Sequence, residues 1–262
     1  MLTIIKWLSV NKLYINIDKT KILIFDNAQF SVKIKLSNNY AIKECKSYKY
    51  LGLMVDNCLK FDVHVDYIIK KVQKRIGAMY RGSSLLPIKY RKMFANALIL
   101  PHFDYLNTIY GRASKTKLRE LDILYKKVAK IALGVGKTES SINVYKNMKW
   151  LPIHLRRQVN LSTYMFKILN EQSPSNFINK FKFISGGSRD GSNCNLYTPK
   201  SKNLKNFYYL GAKAWNKLPT ELRNINDSKV FSKTYKNQLL DSIVNYPNYV
   251  VNNAYDHVYK LM

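Results

Sequence analysis

Residues 65–79 read VDYIIKKVQKRIGAM, and the spacing of the apolar side chains in this segment decides the structure at the centre of the chain. The apolar positions step by three and four, which is the period of one face of an α-helix, at Val65, Ile68, Val72, Ile76 and Met79. The remaining surface carries Lys70, Lys71, Lys74 and Arg75. Gly82 predicts the end of the segment. We therefore predict an amphipathic helix with one buried face and one basic face.

The helical period continues downstream to about Asn170. A second apolar stripe is formed by Leu118, Leu121, Leu124, Val128 and Ile131, and the other face is basic, with Lys117, Arg119, Lys126, Lys127 and Lys130. Between the two stripes, Pro87 and Pro101 bracket another helical stretch, since proline is disfavoured inside a helix. Any single basic face is explained by solvation alone, but two in succession favour an anionic partner.

Upstream of the helix, residues 1 to about 56 predict a short helix followed by strands. Lys21–Phe25 and Phe30–Leu36 are rich in strand formers, and the turn-forming pair Asp26-Asn27 between them predicts a hairpin. Ser47–Val55 predicts a third strand. The fold class is therefore α+β, with a small antiparallel sheet followed by a mostly helical body.

Four regions follow from these patterns. Residues 1–57 hold the strands and residues 58–184 the helices. The small polar residues of Ser185–Asn193 predict a linker, taken as 185–200, because such residues cannot pack into a core. Residues 201–262 predict a C-terminal helical region, with helices at Phe207–Trp215 and Ser228–Ile243.

The formal charge of +28 indicates an anionic partner, and phosphate backbones are the first candidate. The alternative is incidental basicity, because the abundant Lys, Asn, Ile and Tyr share A/T-rich codons. Three cysteines at spacings typical of no disulfide scaffold favour an intracellular protein, in the nucleus or cytoplasm and not secreted. The first ten residues make a poor signal peptide, and no stretch is long and apolar enough to span a membrane.

The sequence predicts no catalytic residue, metal site or cofactor in this chain. Two-metal phosphoryl transfer needs clustered carboxylates, but no two acidic residues are adjacent. Residues 134–138, GVGKT, lack the earlier glycine of a phosphate-binding loop and predict a helix stop and turn instead. No CxxC pair or second histidine supports zinc at Cys45, Cys58 and His64. The four histidines stand apart from any nucleophile motif, which favours core or surface roles.

The order of several short motifs resembles the reverse transcriptases of non-LTR retrotransposons. Asn16-Ile17-Asp18-Lys19-Thr20 before a strand, then Tyr48-Lys49-Tyr50-Leu51-Gly52 with Asp56 and His64, is similar to the end of the palm. Leu151-Pro152-Ile153 with Arg156-Arg157 resembles the helical region that follows, and residues 211–219, GAKAWNKLP, resemble the C-terminal tail of jockey-like elements. The resemblance covers nearly the whole chain.

This resemblance implies specific roles. Lys19 would correspond to the palm lysine that assists pyrophosphate departure, and Leu51 and Gly52 would sit in the primer-grip hairpin. The family's aspartate box is expected upstream of Met1, so this chain alone is expected to be an inactive fragment of an RNA-directed DNA polymerase. Mg²⁺ is expected only for the full-length enzyme. The helices would form a thumb-like region.

Under this interpretation, the expected partners are RNA and DNA in the form of a template and primer duplex. No membrane and no small-molecule substrate are expected. We expect Lys70, Lys71, Lys74 and Arg75 to contact its phosphates. Lys126, Lys127 and Lys130 would form a second track. The alternatives are a host-reused nucleic-acid-binding or scaffold protein and a non-functional transposon remnant.

Overall fold

A computed structural model describes residues 2–25, 34–37, 40–184, 195–199 and 206–245. These residues form two compact units, Met1–Tyr67 and Ile68–Met262. The division falls after Tyr67, inside the long helix that starts at Asp62, and not after residue 57. Of the predicted linker 185–200, residues 185–194 and 200 lie outside the described residues. In the described part, Leu196 is buried in the hydrophobic core of the second unit, so residues 195–199 do not form the unpacked linker that was predicted. In broad terms the chain is α+β, as expected.

The first unit begins with helix α1 (Leu2–Val10), followed by strands β1 (Lys21–Ile22), β2 (Ile34–Ser37) and β3 (Tyr40–Glu44). The strand order is β1-β3-β2, with β3 parallel to β1 and antiparallel to β2. The predicted hairpin between residues 21–25 and 30–36 is therefore wrong, and the sheet is mixed rather than antiparallel. Only two residues separate β2 from β3, and so short a connection favours their pairing over that of β1 with β2. Asp26 and Asn27 lie outside the described residues.

The predicted third strand is a hairpin instead of one strand. Strands β4 (Ser47–Tyr50) and β5 (Leu53–Asp56) pair antiparallel in register from Ser47 opposite Asp56 to Tyr50 opposite Leu53. Leu51 and Gly52 form the two-residue turn, with φ of 45° and 85°. Two consecutive positive φ angles are typical of the tightest hairpin turns, and Gly52 adopts the second without steric cost. The prediction of a single strand failed because strand propensity alone does not locate a turn. A hairpin at Leu51 and Gly52, which the resemblance implied, is present.

The second unit is helical. Helix α2 (Asp62–Gly82) enters it at Ile68, and it confirms the predicted amphipathic helix, with Val65, Ile68, Val72, Ile76 and Met79 all buried. The elements that follow are α3 (Ile88–Phe94), a π-helical turn (Ala95–Ile99), α4 (Leu100–Asp104), α5 (Asn107–Tyr110), α6 (Lys115–Leu133), α7 (Ser141–Met148), α8 (Ile153–Leu169), α9 (Ser175–Ile178), α10 (Phe207–Asn216), α11 (Thr220–Arg223) and α12 (Ser228–Asn245).

Pro101 does not end the helical stretch that begins after Pro87. It stands in the first turn of α4, directly after the π-helical turn Ala95–Ile99, and the helix continues to Asp104. Proline is tolerated in a first turn because its missing N–H has no intrahelical acceptor there. The π-helical turn thus creates a new helix start, which the sequence pattern did not reveal.

Helix α8 organises the core of the second unit. The predicted C-terminal helices are confirmed as α10 and α12, and both pack on α8. Phe166 of α8 stacks on Phe231 of α12 with ring centroids 4.8 Å apart, and Trp215 of α10 is buried in the same cluster. The described part of residues 201–262 therefore shares a core with α8.

Gly134 ends helix α6 as predicted, and a side chain there should destabilise the protein. Its φ is +80°, and a Cβ at Gly134 would lie 2.7 Å from Nη1 of Arg91. Gly134→Ala is expected to lower the free energy of unfolding by about 1–3 kcal/mol, because alanine is strained at this φ and the Arg91 guanidinium must move. Urea denaturation measures the change.

Gly136→Ala is the matched control. Its φ lies outside the left-handed region, and the nearest atom to a Cβ there is Oγ1 of Thr138 at 3.8 Å, an ordinary contact. Equal losses of stability in the two variants would contradict the role given to the left-handed conformation of Gly134.

Candidate nucleic-acid interface

Helix α2 presents cations on the side opposite its buried stripe. Lys70 and Lys74 are exposed, and as an i, i+4 pair they are neighbours on the helix surface. Arg81, also exposed, follows seven residues after Lys74 on nearly the same line. Lys71 and Arg75 are half-buried and flank the apolar stripe. The four predicted cations are therefore on one helix, but of these four only Lys70 and Lys74 are exposed.

The positive charge of α2 affects the pKa of His102 in α4. Its pKa lies below the ordinary value of 6.5, first because burial disfavours the charged imidazolium and then because Arg75 and Lys71 repel it. The three side chains are close enough to interact electrostatically, although α4 and α2 are separate in sequence. Neutralisation of Arg75 and Lys71 by an anion would weaken this repulsion and raise the pKa of His102.

The three predicted cations on α6 are not equivalent. Lys126 pairs with the buried carboxylate of Asp122 at 2.8 Å, and Nζ of Lys130 donates a hydrogen bond to the Lys137 carbonyl at 2.5 Å. Lys126 and Lys130 share a helix face, whereas Lys127 is exposed about 100° round the helix from Lys126. Contacts within the protein thus hold two of these three lysines.

Lys19, Leu51 and Gly52 belong to the first unit. Leu51 is 74% exposed at the tip of the β4–β5 hairpin, beside Gly52. Lys19 is exposed, and its carbonyl accepts a hydrogen bond from the Tyr48 hydroxyl at 2.7 Å, which ties it to strand β4. The structure thus joins Lys19 to the strand that leads into the turn.

Asp56 and His64, which belong to the motifs of the resemblance, connect the hairpin to the start of α2. The Asp56 carboxylate accepts three backbone hydrogen bonds, from Cys58 at 3.1 Å, Lys60 at 3.0 Å and Phe61 at 2.6 Å. Nδ1 of His64 accepts a hydrogen bond from the Met54 N–H at 3.2 Å, and burial lowers the pKa of His64 to about 4. Both side chains therefore stabilise the first unit.

The second unit contains a cavity that the sequence did not predict. We call it the α5–α8 cavity, and its volume is about 520 Å³. It is lined by Asp104, Leu106, Asn107, Thr108, Ile109, Arg112, Asn160, Thr163, Tyr164, Lys167, Phe177 and Phe207. The only sequence signal was the i, i+3, i+4, i+7 spacing of Asn160, Thr163, Tyr164 and Lys167, which places polar and aromatic side chains on one face of α8.

The described residues contain no group of three or more His, Cys, Asp or Glu side chains arranged to hold a metal ion. Across the same ranges, every helix is too short or too polar to cross a bilayer. Comparison of the chain with protein-family models, with curated proteins and with solved structures found no match. The resemblance to reverse transcriptases therefore rests on the motifs quoted above, and the geometry of the basic faces carries the functional argument.

Proposed function

We propose that this chain is the C-terminal part of a non-LTR retrotransposon reverse transcriptase and binds a template and primer duplex without polymerase activity of its own. The observation that carries the proposal is helix α2, which buries its whole apolar stripe and keeps Lys70 and Lys74 exposed on the far side. A helix fixed in this way presents cations to phosphates at low entropic cost, since its backbone is already ordered. In this proposal the β4–β5 hairpin corresponds to the primer grip and the helical unit to the thumb and C-terminal region.

The contacts would be electrostatic and insensitive to base sequence. Each lysine that neutralises a phosphate releases counterions, so the affinity falls as salt rises. The acidic residues are scattered along the sequence, and no two are adjacent to supply the clustered carboxylates of two-metal phosphoryl transfer. Magnesium belongs to the full-length enzyme in this proposal.

Removal of Lys70 and Lys74 tests the proposal. The double variant Lys70→Gln/Lys74→Gln is expected to bind an RNA–DNA hybrid more weakly than the unmodified chain. The slope of log affinity against log salt concentration should become shallower by about 1 for each lysine. Fluorescence anisotropy of a labelled hybrid, across a salt series, measures both quantities.

The matched control is Lys229→Gln/Lys233→Gln on α12. These lysines are also exposed and four residues apart, so the control removes the same charge with the same spacing. An equal effect of both double variants would indicate binding by net charge alone and would contradict a specific role for α2. A flat salt response of the unmodified chain would favour the scaffold or remnant alternatives.

A second measurement locates the binding face. The pKa of His102 should rise when the hybrid binds, because phosphates near Arg75 and Lys71 reduce the repulsion that lowers it. NMR titration of the His102 ring protons, with and without the hybrid, reports this change. An unchanged pKa of His102 would place the duplex away from this side of α2.

A further inference from the structure

The α5–α8 cavity has an aromatic end. The Tyr164 ring meets Phe207 edge to face, with ring centroids 5.7 Å apart and an interplanar angle of 62°, and it meets Phe177 at 6.5 Å and 71°. All three rings are half-buried and contribute to the lining. Rings in this arrangement form a corner against which a planar, delocalised group can pack. The aromatic end therefore suits a nucleobase, since every base has a π face and stacks on aromatic side chains.

The remaining lining carries an excess of positive charge. Arg112 and Lys167 line the cavity, and the carboxylate there is Asp104. Both oxygens of Asp104 already accept hydrogen bonds from Arg156, so its charge is largely compensated. Arg112 is half-buried, and this burial lowers its pKa. An anion in the cavity would be attracted by these two cations, since partly buried charges are screened less than exposed ones.

The lining of the cavity also provides uncharged polar groups. Asn160 and Thr163 lie on the same face of α8 as Tyr164 and Lys167. From Asn160 to Lys167 the helix rises about 10 Å, since each residue adds about 1.5 Å. Amide and hydroxyl groups both donate and accept hydrogen bonds, as the edges of a base and a ribose require. The cavity thus combines an aromatic corner, hydrogen-bonding groups and two cations within the length of a few helical turns.

We propose that the α5–α8 cavity binds a single nucleotide, with its base against Tyr164 and Phe207 and its phosphate towards Arg112 and Lys167. The volume of about 520 Å³ lies in the range of small-ligand pockets and is too small for a duplex. The nucleotide is either an unpaired unit of a single strand or a free nucleoside phosphate. This site is separate from the α2 face and does not depend on the proposed duplex binding. If the source is a free nucleoside phosphate, this chain would bind a small molecule, whereas the sequence predicted none.

Lys167→Gln tests the phosphate contact with little risk to folding, because Lys167 is not part of the buried core. The probes are adenosine 5′-monophosphate, adenosine and a short single-stranded oligo(dA). Isothermal titration calorimetry is performed at a salt concentration that screens exposed charges. We expect Lys167→Gln to weaken binding of the monophosphate about tenfold, as for loss of a charge-assisted hydrogen bond, and to leave adenosine binding unchanged.

Lys213→Gln on α10 is the matched control, because Lys213 is half-buried in the same unit but lies over the Tyr209 ring instead of in the cavity. It should bind all three probes as the unmodified chain does. Tyr164→Leu, checked for folding by circular dichroism, should weaken the binding of adenosine and of the monophosphate alike.

The outcomes separate the two sources and the two proposals. Tighter binding of oligo(dA) than of the monophosphate identifies a single strand as the source, and the reverse identifies a free nucleotide. No saturable binding by either probe, or equal effects of Lys167→Gln and Lys213→Gln, overturns the proposal. The variant Lys70→Gln/Lys74→Gln should retain nucleotide binding, so failure of duplex binding and failure of this site remain distinguishable.

Discussion

Asp56→Ala is expected to lower the free energy of unfolding of the first unit by about 3–5 kcal/mol, because it removes a buried charged acceptor from three backbone N–H groups. Asp56 is 8% exposed at the end of β5, and the amides of Cys58, Lys60 and Phe61 donate to its two oxygens. These hydrogen bonds shape the turn that leads into α2. Urea denaturation gives the size of the loss, and amide hydrogen exchange over residues 47–67 locates it.

Two control variants test the explanation. Asp56→Asn keeps one oxygen acceptor and should lose less stability than Asp56→Ala. Asp227→Ala removes an exposed carboxylate that accepts from the amides of Lys229 and Val230 at the start of α12, and should cost about 1 kcal/mol, as for an ordinary helix cap. A loss in Asp56→Ala no greater than that in Asp227→Ala would show that burial adds nothing to the role of Asp56.

Acidification is expected to destabilise the first unit through His64. Burial lowers the pKa of His64 from 6.5 to about 4 in the folded protein, so between these values the unfolded chain binds a proton that the folded protein excludes. The stabilisation from neutral His64 is therefore fully present above pH 6.5 and is lost as the pH falls towards 4. The total is about 3 kcal/mol, since one pKa unit corresponds to about 1.4 kcal/mol. Urea denaturation at neutral and acidic pH measures the loss.

His64→Asn isolates this contribution. The amide oxygen of asparagine can replace Nδ1 as the acceptor for the Met54 N–H, and it does not titrate in this range. The variant should therefore show a much weaker dependence of stability on pH between 6.5 and 4. His102→Gln, which leaves His64 in place, should still show most of the loss of stability between pH 6.5 and 4. A pH profile of His64→Asn that matches that of the unmodified chain would assign the acid sensitivity to other groups.

The long amphipathic helices were predictable from the sequence, but the pairing of the strands was not. The stripe from Val65 to Met79 spans four turns of one helix, and its burial follows from the spacing alone. The pairing of β1 with β3 depends on partners about 20 residues away, which no local pattern specifies. The division of Ser47–Val55 into two strands depended on the backbone conformation of Leu51 and Gly52, whereas strand propensity treats those positions as continuous.

In the candidate site too, the sequence identified local features but not the contacts between distant residues. The cations of α2 and α6 could be named from the sequence, because a basic helix face is a local feature. Their availability could not be predicted, since it depends on contacts such as that of Lys126 with Asp122 and that of Lys130 with the Lys137 carbonyl. Similarly, Asp56 and His64 stood out in the motifs, but only the three-dimensional contacts show that they stabilise the hairpin and the start of α2.

By itself the sequence determined the charge of the chain, its α+β class, the long amphipathic helices and the absence of adjacent acidic residues, because each depends on composition or on spacing within one segment. The tertiary structure decided the sheet order, the role of Asp56 and His64, and the α5–α8 cavity. That cavity brings together Arg112, Tyr164 and Phe207, which lie far apart along the chain, and such proximity arises only when separate helices pack on α8.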